Sequence, residues 1–345
     1  MGVCHGLVET CEELKAAFDL TKTEHVVIEM HPFQDIECVN FTTMAIDSNS
    51  LTVESSEDLD HFNGNGDFYE VRFEVTNGAE LFWETNVEFH GTRGQDVDGG
   101  GVFVGEGSTV HFLNDLGMTN VGIASVGYGS SDFAQYDLSG GCVYTDGYFR
   151  VDGATKFIDC ISAGGGESGP GPGGAVYVGE QGSVLFNGAL TMSGSTLIDD
   201  GGNLGGGIYN KGKVNIKGDA IFDTNWARNG GAIYNAMGAH FRFEDQATAV
   251  FLNNFARDGG ALHNQGYFKF AGPALFYDTG YPAVYVSSDG ETVLSPNSVF
   301  WSIRETTEPA VEVASGGEVE IPSSIVFIRY ADGDCGMVYY DDACE

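Results

Sequence analysis

Short runs in which apolar and polar residues alternate fill most of this 345-residue chain, among them "YEVRFEVT", "YFRV", "KVNI", "AHFRF" and "YFKF". A period of two over four to six residues, bounded by glycine-rich turns, predicts β-strands with one buried and one outward face. After another turn a more apolar segment follows, as in "AIFDTN", "AVFLNN" and "SVFWSI". Helical periodicity shows only near the start, where "CEELKAAFDL" spaces Leu14, Ala17 and Phe18 along one face.

The strands belong to a repeat. Gly230-Gly231-Ala232-Ile233-Tyr234-Asn235 returns as Gly259-Gly260-Ala261-Leu262-His263-Asn264, and earlier copies begin at Gly99, Gly140, Gly173 and Gly205. Degenerate copies begin at Tyr281, Glu308 and Cys335, so nine starts lie 41, 33, 32, 25, 29, 22, 27 and 27 residues apart. Three short strands and their turns fit that spacing. A unit of this size cannot bury its apolar face alone, but stacking units about 4.8 Å apart builds a continuous core. The pattern therefore predicts an all-β, right-handed parallel β-helix of about 11–12 coils with a short N-terminal capping helix. The organisation expected is one continuous domain: a cap with the helix over 1–22, the β-helix over 23–334 and a C-terminal cap over 335–345. A β-propeller or a pair of β-sandwiches are the alternatives. A propeller blade normally needs about 40 residues or more, which the shorter spacings do not allow.

Each hexad position then has an expected role. Position four is aliphatic throughout, from Val102 to Val338, and must be core. Positions three and five should face outward, position five carrying Phe103, Tyr144, Tyr177, Tyr209, Tyr234, His263 and Tyr285. Position six turns inward, where Asn210, Asn235 and Asn264 can stack their amides. The double glycine permits a positive φ at the bend. An aromatic stripe of this kind can be a platform on which sugar rings stack, with Tyr144, Tyr177, Tyr209, Tyr234, His263 and Tyr285 as ligand-binding residues. It can equally be a covering for the sheet itself.

Phe222-Asp223-Thr224-Asn225 before Gly230-Gly231-Ala232-Ile233, and Phe251-Leu252-Asn253-Asn254 before Gly259-Gly260-Ala261-Leu262, form an "FxxN…GGA[IL]" pattern. Over roughly residues 99–275 this resembles the repeats of the chlamydial polymorphic outer membrane proteins and, more broadly, the pectin-lyase-like β-helix group. The resemblance implies a surface or secreted β-helix. Those outer membrane proteins carry a membrane barrel after their passenger, and this chain ends soon after its last coil, so autotransport is not expected.

Composition narrows the function classes. Fifty acidic against fifteen basic residues leave a net charge of −35, which disfavours nucleic acid and anionic membranes as partners. No apolar run is long enough to span a bilayer, and the opening shows no signal peptide. Seven cysteines (Cys4, Cys11, Cys38, Cys142, Cys160, Cys335 and Cys344) lack zinc-ligand spacing and read as disulfide candidates. Asn40-Phe41-Thr42 is a glycosylation sequon. Together these features point to a secreted or cell-surface protein. Arg257, Asp258 and His263 form the best local acid–base–cation set, with Asp199 and Asp200 two coils earlier, although turn and surface roles account for each. Calcium is the one cofactor suggested, through Asp96, Asp98, Asp332 and Asp334 at loop tips. The expectation is thus a structural or adhesin-like protein that binds polysaccharide or other surface and matrix proteins, with self-association open. The alternative is a polysaccharide lyase or C5-epimerase.

Overall fold

The computed structural model describes residues 3–23, 25–30, 35–46, 49–55, 65–91, 93–95, 98–124, 139–162, 173–197, 204–280, 282–306, 309–330 and 338–340. The chain winds as a parallel β-helix. One sheet contains twelve strands, from Val3–Val8 to Glu318–Glu320, stacked coil upon coil. A second column holds the hexad strands, and Val143, Val176, Ile208, Ile233 and Leu262 succeed one another in register. A third column holds the more apolar segments, where Ala220, Ala249 and Ala274 succeed one another in register. These pairings are all parallel, as a chain returning to the same face once per coil requires.

In two early coils the third-column and hexad strands run together as Asp35–Ile46 and Asn65–Val75. Among the described residues, four coils carry more than the three strands expected. Arg93–Gln95, Gly122–Ala124, Ile161–Ser162 and Thr196–Leu197 form a short sheet at the corner before the hexad. They belong to the coils around the longest repeat spacings, where extra residues leave room to pair. From Asn225 onward that corner is shorter, and among the described residues it carries the isolated bridges Leu204–Asn229, Trp226–Phe255 and Asn229–Asp258.

Inward side chains stack between coils. Phe222, Phe251, Phe276, Phe300 and Phe327 form one column, with successive ring centroids 5.1, 5.0, 4.4 and 5.2 Å apart. Each fully buried ring contributes about 2–3 kcal/mol by desolvation. The aliphatic fourth position of the hexad is core, as its pattern requires. Position three is a correction: Cys142, Ala175, Ala232, Ala261 and Ala283 are fully buried in the main core and do not face out. The strand begins only at position four, so strand alternation does not reach the corner residue before it.

The helix Cys11–Leu20 closes the N-terminal end of this core. Thr10 caps it: its Oγ1 accepts from the Glu13 N–H at 3.3 Å, while Glu13 Oε2 accepts from the Thr10 N–H at 3.0 Å. The buried face is Leu14, Ala17 and Phe18, and Phe18 stacks on Phe73 at 5.3 Å. The strand Val3–Val8 precedes the helix and already pairs with Val26–Met30, within the span assigned from sequence to the cap. Disulfides join Cys11 to Cys38 and Cys142 to Cys160, with Cα atoms 5.4 and 5.7 Å apart. The side chains of Cys4, Cys335, Cys344 and Asn40 lie outside the described residues.

Candidate functional site

The hexad column combines an aromatic ladder outside the core with an amide ladder inside it. Outside, Phe103, Tyr144, Tyr177, Tyr209, Tyr234 and His263 stack with centroids 5.0, 4.8, 5.4, 5.3 and 4.7 Å apart and planes within 15°. Tyr285 follows at 4.8 Å, tilted by 33°. Arg72 sits over the Phe103 ring, 5.3 Å from its centroid, and donates to the Gly99 carbonyl at 2.9 Å. Strand spacing sets this geometry: identical positions recur at stacking distance, so each ring lies on the next.

That stacking limits what the aromatic column can offer a sugar ring. Within the column each face of Tyr144, Tyr177, Tyr209 and Tyr234 is occupied by a neighbouring ring, so no ring face is free for a sugar. Tyr209, Tyr234 and His263 are also buried, although they point away from the core. Burial pushes the Tyr234 phenol up to about 12. Burial, together with the hydrogen bond that the Tyr144 hydroxyl donates to Asp146 at 2.7 Å, pushes the Tyr144 phenol further. These hydroxyls remain protonated donors.

Inside, the expected amide ladder is present. Asn210 Nδ2 donates to Asn235 Oδ1 and Asn235 Nδ2 to Asn264 Oδ1, both at 2.8 Å, and Asn264 Nδ2 donates to Thr292 Oγ1 at 2.8 Å. All three asparagines are fully buried. A second ladder uses the asparagine of the FxxN pattern: Asn225 Nδ2 donates to Asn254 Oδ1 at 2.9 Å, and Asn254 Nδ2 to the Phe222 carbonyl at 2.8 Å. Each net bond contributes about 1 kcal/mol, and losing a partner costs more because the other stays buried.

His263 replaces tyrosine between Tyr234 and Tyr285. Burial drops its pKa to about 4, outweighing the nearby Asp258 carbonyl. Nδ1 has no hydrogen-bond partner among the described residues. Arg257 is exposed at the corner. The Asn229 amide, oriented to satisfy its neighbours, donates to Asp258 Oδ2 at 3.1 Å. Among the described residues no hydrogen bond or ion pair joins the side chains of Arg257, Asp258 and His263 into an acid–base set. Asp199 and Asp200 lie outside the described residues.

Of the calcium candidates, Asp96, Asp332 and Asp334 lie outside the described residues. The Asp98 carboxylate accepts from the Ser139 N–H at 2.6 Å, and its carbonyl accepts from Arg72, so it ties neighbouring coils together. Among the described residues no three His, Cys, Asp or Glu side chains converge on a metal position.

A cluster that the sequence did not single out lies on the outer face of the twelve-stranded sheet. Asp152 accepts from Arg150 Nε at 2.7 Å, from Arg150 Nη2 at 3.0 Å and from Asn187, and His111 Nε2 lies 2.8 Å from its Oδ2. Burial opposes ionisation, but the bonds from Arg150, His111 and Asn187 hold the carboxyl down at about 2. The set gathers cation, carboxylate and imidazole across neighbouring coils. Register alone brings it together, His111 standing opposite Arg150. The "YFRVD" spacing of Arg150 and Asp152 was the only local signal.

No family model, curated protein or solved structure matches this chain.

Proposed function

We propose that this protein is a secreted or cell-surface scaffold, a stiff β-helix that works in adhesion or in the assembly of a matrix or envelope and takes glycans among its ligands. The observation carrying this reading is the investment of the repeat in coil-to-coil stacking. Aromatic, amide and phenylalanine columns all serve rigidity along one axis, the property a spacer or display surface needs. The disulfides Cys11–Cys38 and Cys142–Cys160 suit an oxidising compartment. No helix among the described residues is long and apolar enough to cross a membrane. The likeness of the FxxN…GGA[IL] pattern to surface-exposed β-helices supports the same placement. Glycan contact belongs on exposed side chains outside the aromatic ladder, since the ladder's ring faces are occupied.

The second reading, a polysaccharide lyase or epimerase, draws on His111, Arg150 and Asp152. A carboxylate held near 2 is a weak base at neutral pH, so we rank it second. A glycan array probed with the purified chain, with and without calcium, separates the two. The scaffold reading expects retained glycan spots and no unsaturated uronate product after incubation with polyuronates. Accumulation of that product, abolished by Asp152→Asn, would overturn it. A shift in unfolding temperature on chelation would add calcium to the scaffold; an unchanged midpoint would remove it.

A further inference from the structure

Strands buried on both faces read as continuous apolar runs, whereas strands with one solvated face alternate. The third-column strands change from the second kind to the first partway along the molecule. In earlier coils their outward positions are Glu88 and His90, then Gly117 and Thr119, then Lys156 and Ile158, then Thr191 and Ser193, so Ile158 is the one apolar member. From Ala220 onward the outward positions turn apolar, except Asp223, which stands in register before Leu252. Ile221, Val250, Leu275, Val299 and Val326 stand in one register column. Leu252, Tyr277, Trp301 and Ile328 stand in the next. Trp226 and Phe255 flank them at the corner, 37% and 58% exposed, while Ile221, Trp301 and Val326 are 41%, 39% and 47% exposed.

This is an apolar face of two columns, five coils deep in one and four in the other, about 20 Å long at the strand spacing. Contiguous exposed apolar surface of this kind is uncommon on monomeric proteins and marks interaction sites.

We propose that this face pairs with the same face of a second copy of the chain. Charge favours this occupant. Residues 211–330, which carry the face, hold nine of the fifteen basic residues and thirteen of the fifty acidic ones. Two copies of a chain carrying −35 therefore meet where mutual repulsion is least. Charge also selects the arrangement. Arg228 and Arg257 are exposed on the exit side of the face and have no ion-pair partner among the described residues. Asp219 and Asp245 lie on the entry side; Asp245 is 79% exposed and 3.7 Å from Arg242 Nη2 of its own chain, and Asp219 Oδ1 accepts from the Thr248 N–H at 2.8 Å. A two-fold axis parallel to the coil axis sets the exit side of one copy against the entry side of the other. It brings Arg228 and Arg257 to Asp219 and Asp245 of the second copy. A two-fold perpendicular to the coil axis would instead set like side against like side. Such pairing is isologous and closes at a dimer.

Pairing goes beyond the scaffold reading and stands apart from it, because the glycan experiment reads other surfaces. Sedimentation velocity of the intact chain from roughly 1 to 100 µM is expected to show a monomer–dimer equilibrium. Leu252→Glu should raise the dimer dissociation constant more than about tenfold with an unchanged far-ultraviolet circular dichroism spectrum. Arg257→Asp should weaken the dimer, and Arg257→Asp combined with Asp245→Arg should restore it. That pair of variants carries the test if Leu252→Glu does not fold. A wild-type monomer throughout, or a Leu252→Glu dimer of undiminished affinity, overturns the pairing. Failure of the double exchange to rescue overturns the parallel two-fold.

Discussion

His263 is the residue at which the ladder departs from its own rule, and the departure makes stability depend on pH. The folded state holds the imidazole neutral, with a pKa of about 4 against 6.5 when unperturbed. Above about pH 6.5 both states are neutral and the residue adds no penalty. Between there and pH 4 the unfolded chain takes up a proton that the folded chain refuses, so stability falls as pH falls. The loss amounts to roughly 3 kcal/mol and is complete once pH passes the folded value. His263→Tyr continues the ladder and removes this term. Unfolding midpoints from pH 7 to 4 should fall less steeply in the variant; parallel curves would show that His263 is not held neutral. The sequence marked His263 as the odd member of the column but gave it an outward, solvated setting. Its burial depends on how closely rings from two other coils approach it, which only stacking distances reveal.

Elements repeat here because corners repeat, and the two glycines of the hexad do different work. The first has positive φ in each of the six GG copies, from 64° to 82°. The second needs space: a Cβ on Gly231 would press into the backbone of Gly260 and Phe255. Gly231→Ala should therefore cost more than about 3 kcal/mol in chemical denaturation, since backbone cannot move aside without breaking the column. Gly238 lies in an open turn at φ +78°, and Gly238→Ala should cost only about 1 kcal/mol. Equal costs would mean that conformation alone, not close approach, explains the pair. The hexad and its ladders were legible because one position recurs with the same chemistry. The short corner sheet and the fused strands Asp35–Ile46 and Asn65–Val75 have no repeated motif, so spacing alone could not announce them. Arg150, Asp152 and His111 were invisible for a related reason: their meeting depends on register between strands nearly forty residues apart.

The whole molecule behaves as a stack in which each coil answers mainly to its neighbours. Among the described residues, two disulfides pin two places in it, closing separations of 27 and 18 residues. Each restricts the unfolded chain by about 3 kcal/mol. Reduction should lower the unfolding midpoint and raise hydrogen exchange around residues 11–46 and 139–162 first, leaving 204–280 protected. Uniform loss of protection along the chain would refute the nearest-neighbour description. Seen this way, the aromatic ladder has an optical consequence. Phenol rings held face to face at about 5 Å and nearly parallel form a coupled chromophore, not a set of independent ones. The imidazole of His263 interrupts it, leaving excitation to migrate among the tyrosines on one side and stop before Tyr285 on the other. The column thus carries its own ultraviolet gauge of whether the coils from Tyr144 to Tyr234 are wound as one.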